Sequence, residues 1–211
     1  MFDYILFDFD GTVFDTVEGI TKSVLYALNK RGMDAPLDEL RCFAGPPLVD
    51  MFMEKYGVDK EEAVQMVEDF RERYKPIGLY ECSVFPGVKE LLAELKARGK
   101  RLAVASSKPQ ELIIELLTRE NMLELFDSVC GTVGGINDAK WQVVERAMNE
   151  LSASREGSIL VGDTKYDVIG AHKCGIKCVG VEYGYAAPGD FEACGADYIV
   201  KDTAGLLTLL G

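Results

Sequence analysis

Tyr4-Ile5-Leu6-Phe7-Asp8-Phe9-Asp10-Gly11-Thr12 is the stretch on which the reading of this chain turns. Its first four residues are apolar without a break, the pattern of a short strand buried on both faces. Two carboxylates follow where such a strand leaves the core. In an extended chain, side chains two apart point to one side, so Asp8 and Asp10 can stand close together. Carboxylates that close repel each other unless one is protonated or a cation joins them. Gly11, with no Cβ, permits a sharp turn and brings backbone N–H groups near a ligand. A solvated Asp-Gly turn has the same local sequence, so the rest of the chain decides.

Downstream, Asp15 and Thr16 are suited to cap a helix that carries Ile20, Val24, Ala27 and Leu28 and stops at Gly32. A second helix is expected from Pro46-Pro47, with Leu48, Met51 and Phe52. A third begins at Asp59, with Glu62 completing a capping box and Val64, Val67, Phe70 and Tyr74 forming its stripe. Residues 16–80 therefore read as an all-helical insertion. After Tyr80 the pattern alternates. A helix carries Val88, Leu91, Leu92 and Leu95, and a strand runs Leu102 to Ala105. Ser107 with Gln110 suggests another capping box, before a helix with Leu112, Ile113, Leu116 and Leu117. A strand near Phe126–Gly131, a helix with Val143, Val144, Ala147 and Leu151, and strands at Ile159–Val161, Lys177–Val181 and Tyr198–Val200 complete the set. Strands alternating with helices imply right-handed crossovers and an α/β fold: a doubly wound, mostly parallel, Rossmann-like sheet. The core is residues 1–15 and 81–211. Ligands of such sheets bind beyond the carboxyl ends of strands, which is where Asp8 and Asp10 fall.

Composition narrows the partners. The 211 residues carry 23 basic and 35 acidic side chains, a formal charge of −12. That excludes a nucleic acid polymer or an anionic membrane surface as the default partner, but not a small anion held by a local cation. No basic leader segment and no membrane-length apolar run stand in the sequence, so a cytoplasmic protein, monomer or weak dimer, is expected. Six cysteines, none in a C-x-x-C pair, and one histidine, His172, offer no structural zinc site and suit thiols in a reducing compartment.

Asp8-Phe9-Asp10-Gly11-Thr12, followed by Val13-Phe14-Asp15-Thr16, resembles the first motif of the haloacid dehalogenase superfamily. Three further stretches match that family in order. Ser106 ends a strand as the second motif does; Ser107 follows it, although either serine could simply cap the helix. Lys140 opens a helix after Asn137 and Asp138, where the dipole disfavours a cation unless an anion is near. The alternative is a solvated lysine beside Asp138, and Trp141 next to it reads as packing. Val161-Gly162-Asp163-Thr164-Lys165-Tyr166-Asp167 resembles the fourth motif, with Asp163 and Asp167 on one side of a helix start, though Asp167 would also serve as an ordinary cap.

The resemblance implies a phosphatase of small phosphorylated metabolites, similar to phosphoglycolate phosphatases and nucleotidase-like enzymes. It makes Asp8 the nucleophile and Asp10 the acid and base. Gly11, Thr12, Ser106, Ser107 and Lys140 would hold phosphate. Mg²⁺ would lie on Asp8, the Asp10 carbonyl and Asp163, with Asp167 as ligand or through water, and Lys140 as the only counter-charge. The helical insertion resembles a cap, with Arg41, Gly45 and Pro46 as substrate contacts. A phosphomutase of the β-phosphoglucomutase type and a phospho-aspartate switch are the alternatives. His172 is given no role.

Overall fold

The computed structural model describes residues 2–133 and 138–211. Asn137, named above as preceding Lys140, lies with 134–136 outside the described residues. The chain divides into two compact units, Met1–Phe14 with Val84–Gly211, and Asp15–Ser83. In chain order the elements are β1 (Tyr4–Phe7), β2 (Phe14–Asp15), α1 (Val17–Asn29), α2 (Leu48–Tyr56), α3 (Lys60–Tyr74), β3 (Ser83–Val84) and α4 (Val88–Ala97). Then come β4 (Arg101–Pro109), α5 (Gln110–Arg119), β5 (Ser128–Thr132), α6 (Lys140–Leu151), β6 (Ser158–Gly162), α7 (Lys165–Lys173), β7 (Lys177–Val181), α8 (Asp190–Cys194), β8 (Tyr198–Val200) and α9 (Thr203–Leu210). Among the described residues no helix is long and apolar enough to cross a membrane.

The first unit is a six-stranded sheet in the order β5-β4-β1-β6-β7-β8, with each neighbouring pair parallel. Ile5, Leu6 and Phe7 are buried, as an apolar strand flanked on both faces requires. Leu6, Ala103, Ala105, Leu160 and Cys178 pack with Val143, Val144 and Ala147 of α6, Val168 of α7 and Phe191 of α8. Side chains of β1 and β4 that alternate away from this face, among them Ile5, Phe7, Leu102 and Val104, are buried too. They are left to α4, α5 and α9, whose Leu92, Leu116 and Leu206 are also buried.

Register positions the site. Phe7 lies opposite Val104 of β4 on one side and Val161 of β6 on the other. The residues that follow, Asp8, Ala105-Ser106 and Gly162-Asp163, therefore emerge at one level. After β1 the chain adds β4 and β5 on one side, then crosses to β6 on the other. β1 is thus the switch point where parallel sheets open a crevice.

The second unit is helical, with short 3₁₀ segments at Leu37–Phe43 and Gly78–Tyr80 beside α1, α2 and α3. Its core holds Ile20, Val24, Leu28, Leu40, Phe43, Phe52, Met66 and Phe70. Buried Asp69 takes Lys30 Nζ at 2.6 Å and also Arg31. Burial pushes its carboxyl up, but those two cations outweigh burial and hold it below the ordinary value.

Three local expectations change. Ser107 does not cap α5: β4 runs on to Pro109, which occupies the cap position, and the Gln110 side chain accepts from Gly131 N at 3.2 Å instead. Proline brings its own fixed φ to a helix entry and needs no capping partner for a missing N–H. Val64 is 44% exposed, and Ala63 and Met66 take the buried stripe of α3 with Val67 and Phe70. Thr16 stands at the N-cap of α1 without a side-chain capping bond, while Asp15 Oδ1 accepts from Val17 N at 3.3 Å. Asp59 caps α3 as read, accepting from Glu62 N at 2.9 Å.

Candidate active site

The turn after β1 is tied by one carbonyl. Phe9 O accepts from Thr12, Val13 and Phe14 N–H, and Gly11 N donates to Phe14 O at 2.8 Å. Gly11 has φ +81°, and a Cβ there would sit 2.0 Å from Asp163 Oδ2, so both conformation and space demand glycine. These bonds correct one expectation. The N–H groups of Gly11 and Thr12, assigned to phosphate, are spent within the turn, and buried Thr12 Oγ1 donates to Asp163 Oδ1 at 3.2 Å.

Asp8 and Asp10 have separate ammonium partners. Lys140 Nζ lies 2.7 Å from Asp8 Oδ1 and 2.7 Å from Asp167 Oδ1. Lys108 Nζ lies 3.0 Å from Asp10 Oδ1 and 3.3 Å from Oδ2. The repulsion expected between neighbouring carboxylates is relieved by one lysine for each. Lys140 is therefore not the sole counter-charge. Lys108 went unread in the sequence, although Ser106-Ser107-Lys108 held a signal. A lysine two residues past Ser106 in a continuing strand shares its side.

Lys140 is the first residue of α6, with its side chain 9% exposed. Two carboxylates offset the unfavourable helix dipole there, so it is no solvated surface lysine. Asp138 is paired elsewhere, with Arg146 at 3.0 Å. Gly170 of α7 makes room for the lysine stem, since a Cβ would lie 2.7 Å from Lys140 Cγ. Trp141 packs against the core, with Lys173 Nζ 4.2 Å from its ring centre.

Asp167 does two jobs. Its Oδ2 accepts from Thr164 N at 3.0 Å and Thr164 Oγ1 at 2.9 Å, closing the N-terminus of α7, while Oδ1 faces Lys140. Asp163 precedes α7 and is fully buried; Tyr185 N donates to its Oδ2 at 2.9 Å. Ser106 is buried with its hydroxyl bonded to Asp8, and Ser107 is half-buried. Arg41, Gly45 and Pro46 belong to the other unit, Arg41 exposed. Exposed His172 pairs with Asp197 at 3.0 Å, and all six cysteines are free thiols.

Asp8, Asp163 and Asp167 offer carboxylate oxygens within 4.8 Å of one another, against one ammonium. The Asp10 carboxylate is not in this cluster. Burial, before the counter-pull of Lys140 and the push of Asp167, raises Asp8 from 3.8 to about 6. Burial first, then Asp167 and Asp8, holds Asp163 well above the ordinary carboxylate value. For Lys140 burial works downward, yet Asp167 and Asp8 outweigh it and push it up, so it stays charged. Burial, then nearby Asp163, raises the Tyr183 phenol, which remains a donor and meets Thr12 O at 3.0 Å. The cluster carries more negative charge than its lysine balances, and all its donors are oxygen. Hard divalent cations fit such a set.

Gly184 closes the wall behind Asp163. A Cβ there would stand 2.2 Å from Asp163 Cβ and 2.5 Å from Gly11 O, neither a flexible side-chain end. Gly184→Ala is expected to cost about 1–3 kcal/mol by overpacking, read as a lowered urea midpoint, and to displace Asp163.

Comparison with known proteins agrees with this geometry. Residues 5–181 match the family described as Haloacid dehalogenase-like hydrolase. The chain is 37% identical over 208 residues to a 5'-nucleotidase of Pseudomonas aeruginosa, covering 98% of this chain and 94% of that one. It is 32% identical over 206 residues to the tyrosine-protein kinase PtkA of Mycobacterium tuberculosis, covering 97% and 67%. A crystal structure of a predicted phosphatase from Clostridium acetobutylicum superposes with a TM-score of 0.96 at 38% identity, over 100% of this chain and 98% of that one. With its parallel sheet, its four motif stretches gathered at the end of β1 and β6, and these relatives, the chain belongs to the haloacid dehalogenase-like hydrolases, as an enzyme of their phosphatase group.

Proposed function

We propose that the protein is a Mg²⁺-dependent phosphatase of small soluble phosphate monoesters, such as a nucleoside monophosphate or a phosphoglycolate-like acid. The observation that carries this reading is the Asp8 carboxylate at the end of β1, held by Lys140 at 2.7 Å beside two further buried carboxylates. In the first step an Asp8 oxygen attacks phosphorus, the bond from phosphorus to the ester oxygen breaks, and Asp10 gives that oxygen its proton. In the second, Asp10 takes a proton from water as the water oxygen attacks phosphorus. The bond to Asp8 breaks, releasing inorganic phosphate and restoring both carboxyl groups.

Lys140 and the Ser106 hydroxyl act on the phosphoryl oxygens, where charge develops in a water-poor pocket. Mg²⁺ would be held by the carboxylates of Asp8 and Asp163 and the Asp10 carbonyl, with Asp167 directly or through water, and would supply positive charge to the phosphoryl group. Asp15–Ser83 is assigned the part of a cap, in which Arg41, Gly45 and Pro46 select the substrate. A panel of nucleoside monophosphates, sugar phosphates and phosphoglycolate, assayed for released phosphate with Mg²⁺ and with chelator, tests the reading. Mg²⁺-dependent release is expected. Isomerisation of a sugar phosphate without release would turn the reading to a mutase, and a long-lived phospho-protein without turnover to a switch.

A further inference from the structure

Lys108 has a place in the crevice that the four motif stretches do not account for. Its side chain is 4% exposed, which for an ammonium demands close anionic partners. Both oxygens of Asp10 supply that, at 3.0 and 3.3 Å. The backbone is arranged for the contact. β4 pairs regularly with β5 up to Ala105 and Cys130, then shifts register before Pro109 meets Thr132. Such an irregularity re-aims the side chains it contains, here Ser106, Ser107 and Lys108. Ser106 Oγ takes Lys108 N at 3.4 Å, so the two residues brace each other. Lys108 Nζ also stands 5.8 Å from the centre of the Phe9 ring, which stacks on Phe14 at 4.7 Å. The ammonium thus rests on an aromatic pair belonging to the turn that carries Asp10.

We propose that Lys108 is a positioning residue for Asp10: it fixes the carboxyl that must reach the leaving oxygen, and acts on the reaction through that carboxyl rather than by touching the phosphoryl group. The proposal rests on the phosphatase reading above. Its consequence is selective. Asp10 matters most when the departing alkoxide needs a proton and least when a weakly basic phenoxide leaves unaided. A misplacement of about 1 Å can cost about a hundredfold at the step concerned.

The test compares kcat/KM, which reports phosphorylation of Asp8, for an alkyl monoester and for p-nitrophenyl phosphate. Lys108→Met is expected to lower the alkyl-to-aryl ratio by about tenfold or more. Lys108→Arg should recover part of that ratio, and K108M added to Asp10→Asn should cost little beyond D10N alone, since both act through one group. Should K108M not fold, Lys108→Gln, which keeps a donor without the charge, gives the same ratio. An equal loss on both esters, or a loss confined to KM, overturns the assignment and makes Lys108 a structural or substrate-contact residue. So does a full, additive loss in the double variant. If the wild-type chain hydrolyses neither ester, the phosphatase reading itself falls and Lys108's role with it. Hydrolysis by wild type with an unmoved ratio removes the Lys108 assignment alone.

Discussion

Asp8→Asn should cut phosphate release by about 10⁴-fold or more while making the metal-free protein more stable at neutral pH. The loss follows from chemistry, because an amide oxygen is a poor nucleophile toward phosphorus and would leave no carboxylate to regenerate. The gain follows from electrostatics. Burial, only partly offset by Lys140 and aggravated by Asp167, raises Asp8 from 3.8 to about 6. Each tenfold in proton affinity is about 1.4 kcal/mol, so the charged carboxylate weakens the metal-free fold by on the order of 3 kcal/mol.

The sign fixes the pH window. A carboxyl raised in the folded state favours folding fully below the unfolded value near 3.8, and that advantage is lost as pH rises through about 6. Urea unfolding of chelator-treated wild type and D8N at pH 7.5 should therefore favour D8N, with the gap closing toward pH 4. A D8N variant that turns over normally would remove Asp8 as the nucleophile. One less stable than wild type at pH 7.5 would show that Lys140 more than compensates the burial.

The second large effect belongs to Asp163→Asn. Wild type should gain thermal stability from millimolar Mg²⁺, by about 2.7 kcal/mol once the ion reaches a hundredfold excess over its dissociation constant. D163N should lose most of that gain and nearly all activity. Its metal-free form should hold its fold, because the neutral amide relieves a carboxylate that burial, Asp167 and Asp8 hold well above its ordinary value. The Thr12 hydroxyl, now a donor to Asp163 at 3.2 Å, can turn to accept from the new amide. Calorimetry showing equal Mg²⁺ uptake by both proteins would exclude Asp163 from the metal site. Absence of uptake by wild type would remove the metal from the reading.

Local pattern carried much of this molecule. An apolar run of four residues suffices to specify a strand buried on both faces, and Tyr4–Phe7 is one. Helical periodicity, glycine stops and the Asp59 cap located α1 to α6 but not α8 or α9, because such signals depend on neighbours within one or two turns. The order of Asp8, Ser106, Lys140 and Asp163 sufficed to indicate the family. Each of those features is encoded in a stretch of a few residues.

Contacts between distant residues were decided by tertiary structure alone. Lys108 meets Asp10 across 98 positions, and only the pairing of Phe7 with Val104, with the register shift further along β4, brings them together. Thr12 and Tyr185 hold Asp163 from two separate loops. The Gly11 and Thr12 N–H groups turned inward because Phe9 O and Phe14 O lay in reach, a choice of bonding partner that composition leaves open. Ser107 lost its helix because a strand pairing with β5 outlasted the apolar run. The sequence determined most of the groups the crevice would contain, Lys108 excepted, since each motif residue sits in a short stretch with its own local pattern. Strand register and burial decided which cation faces which carboxylate, because that depends on distances no local pattern encodes.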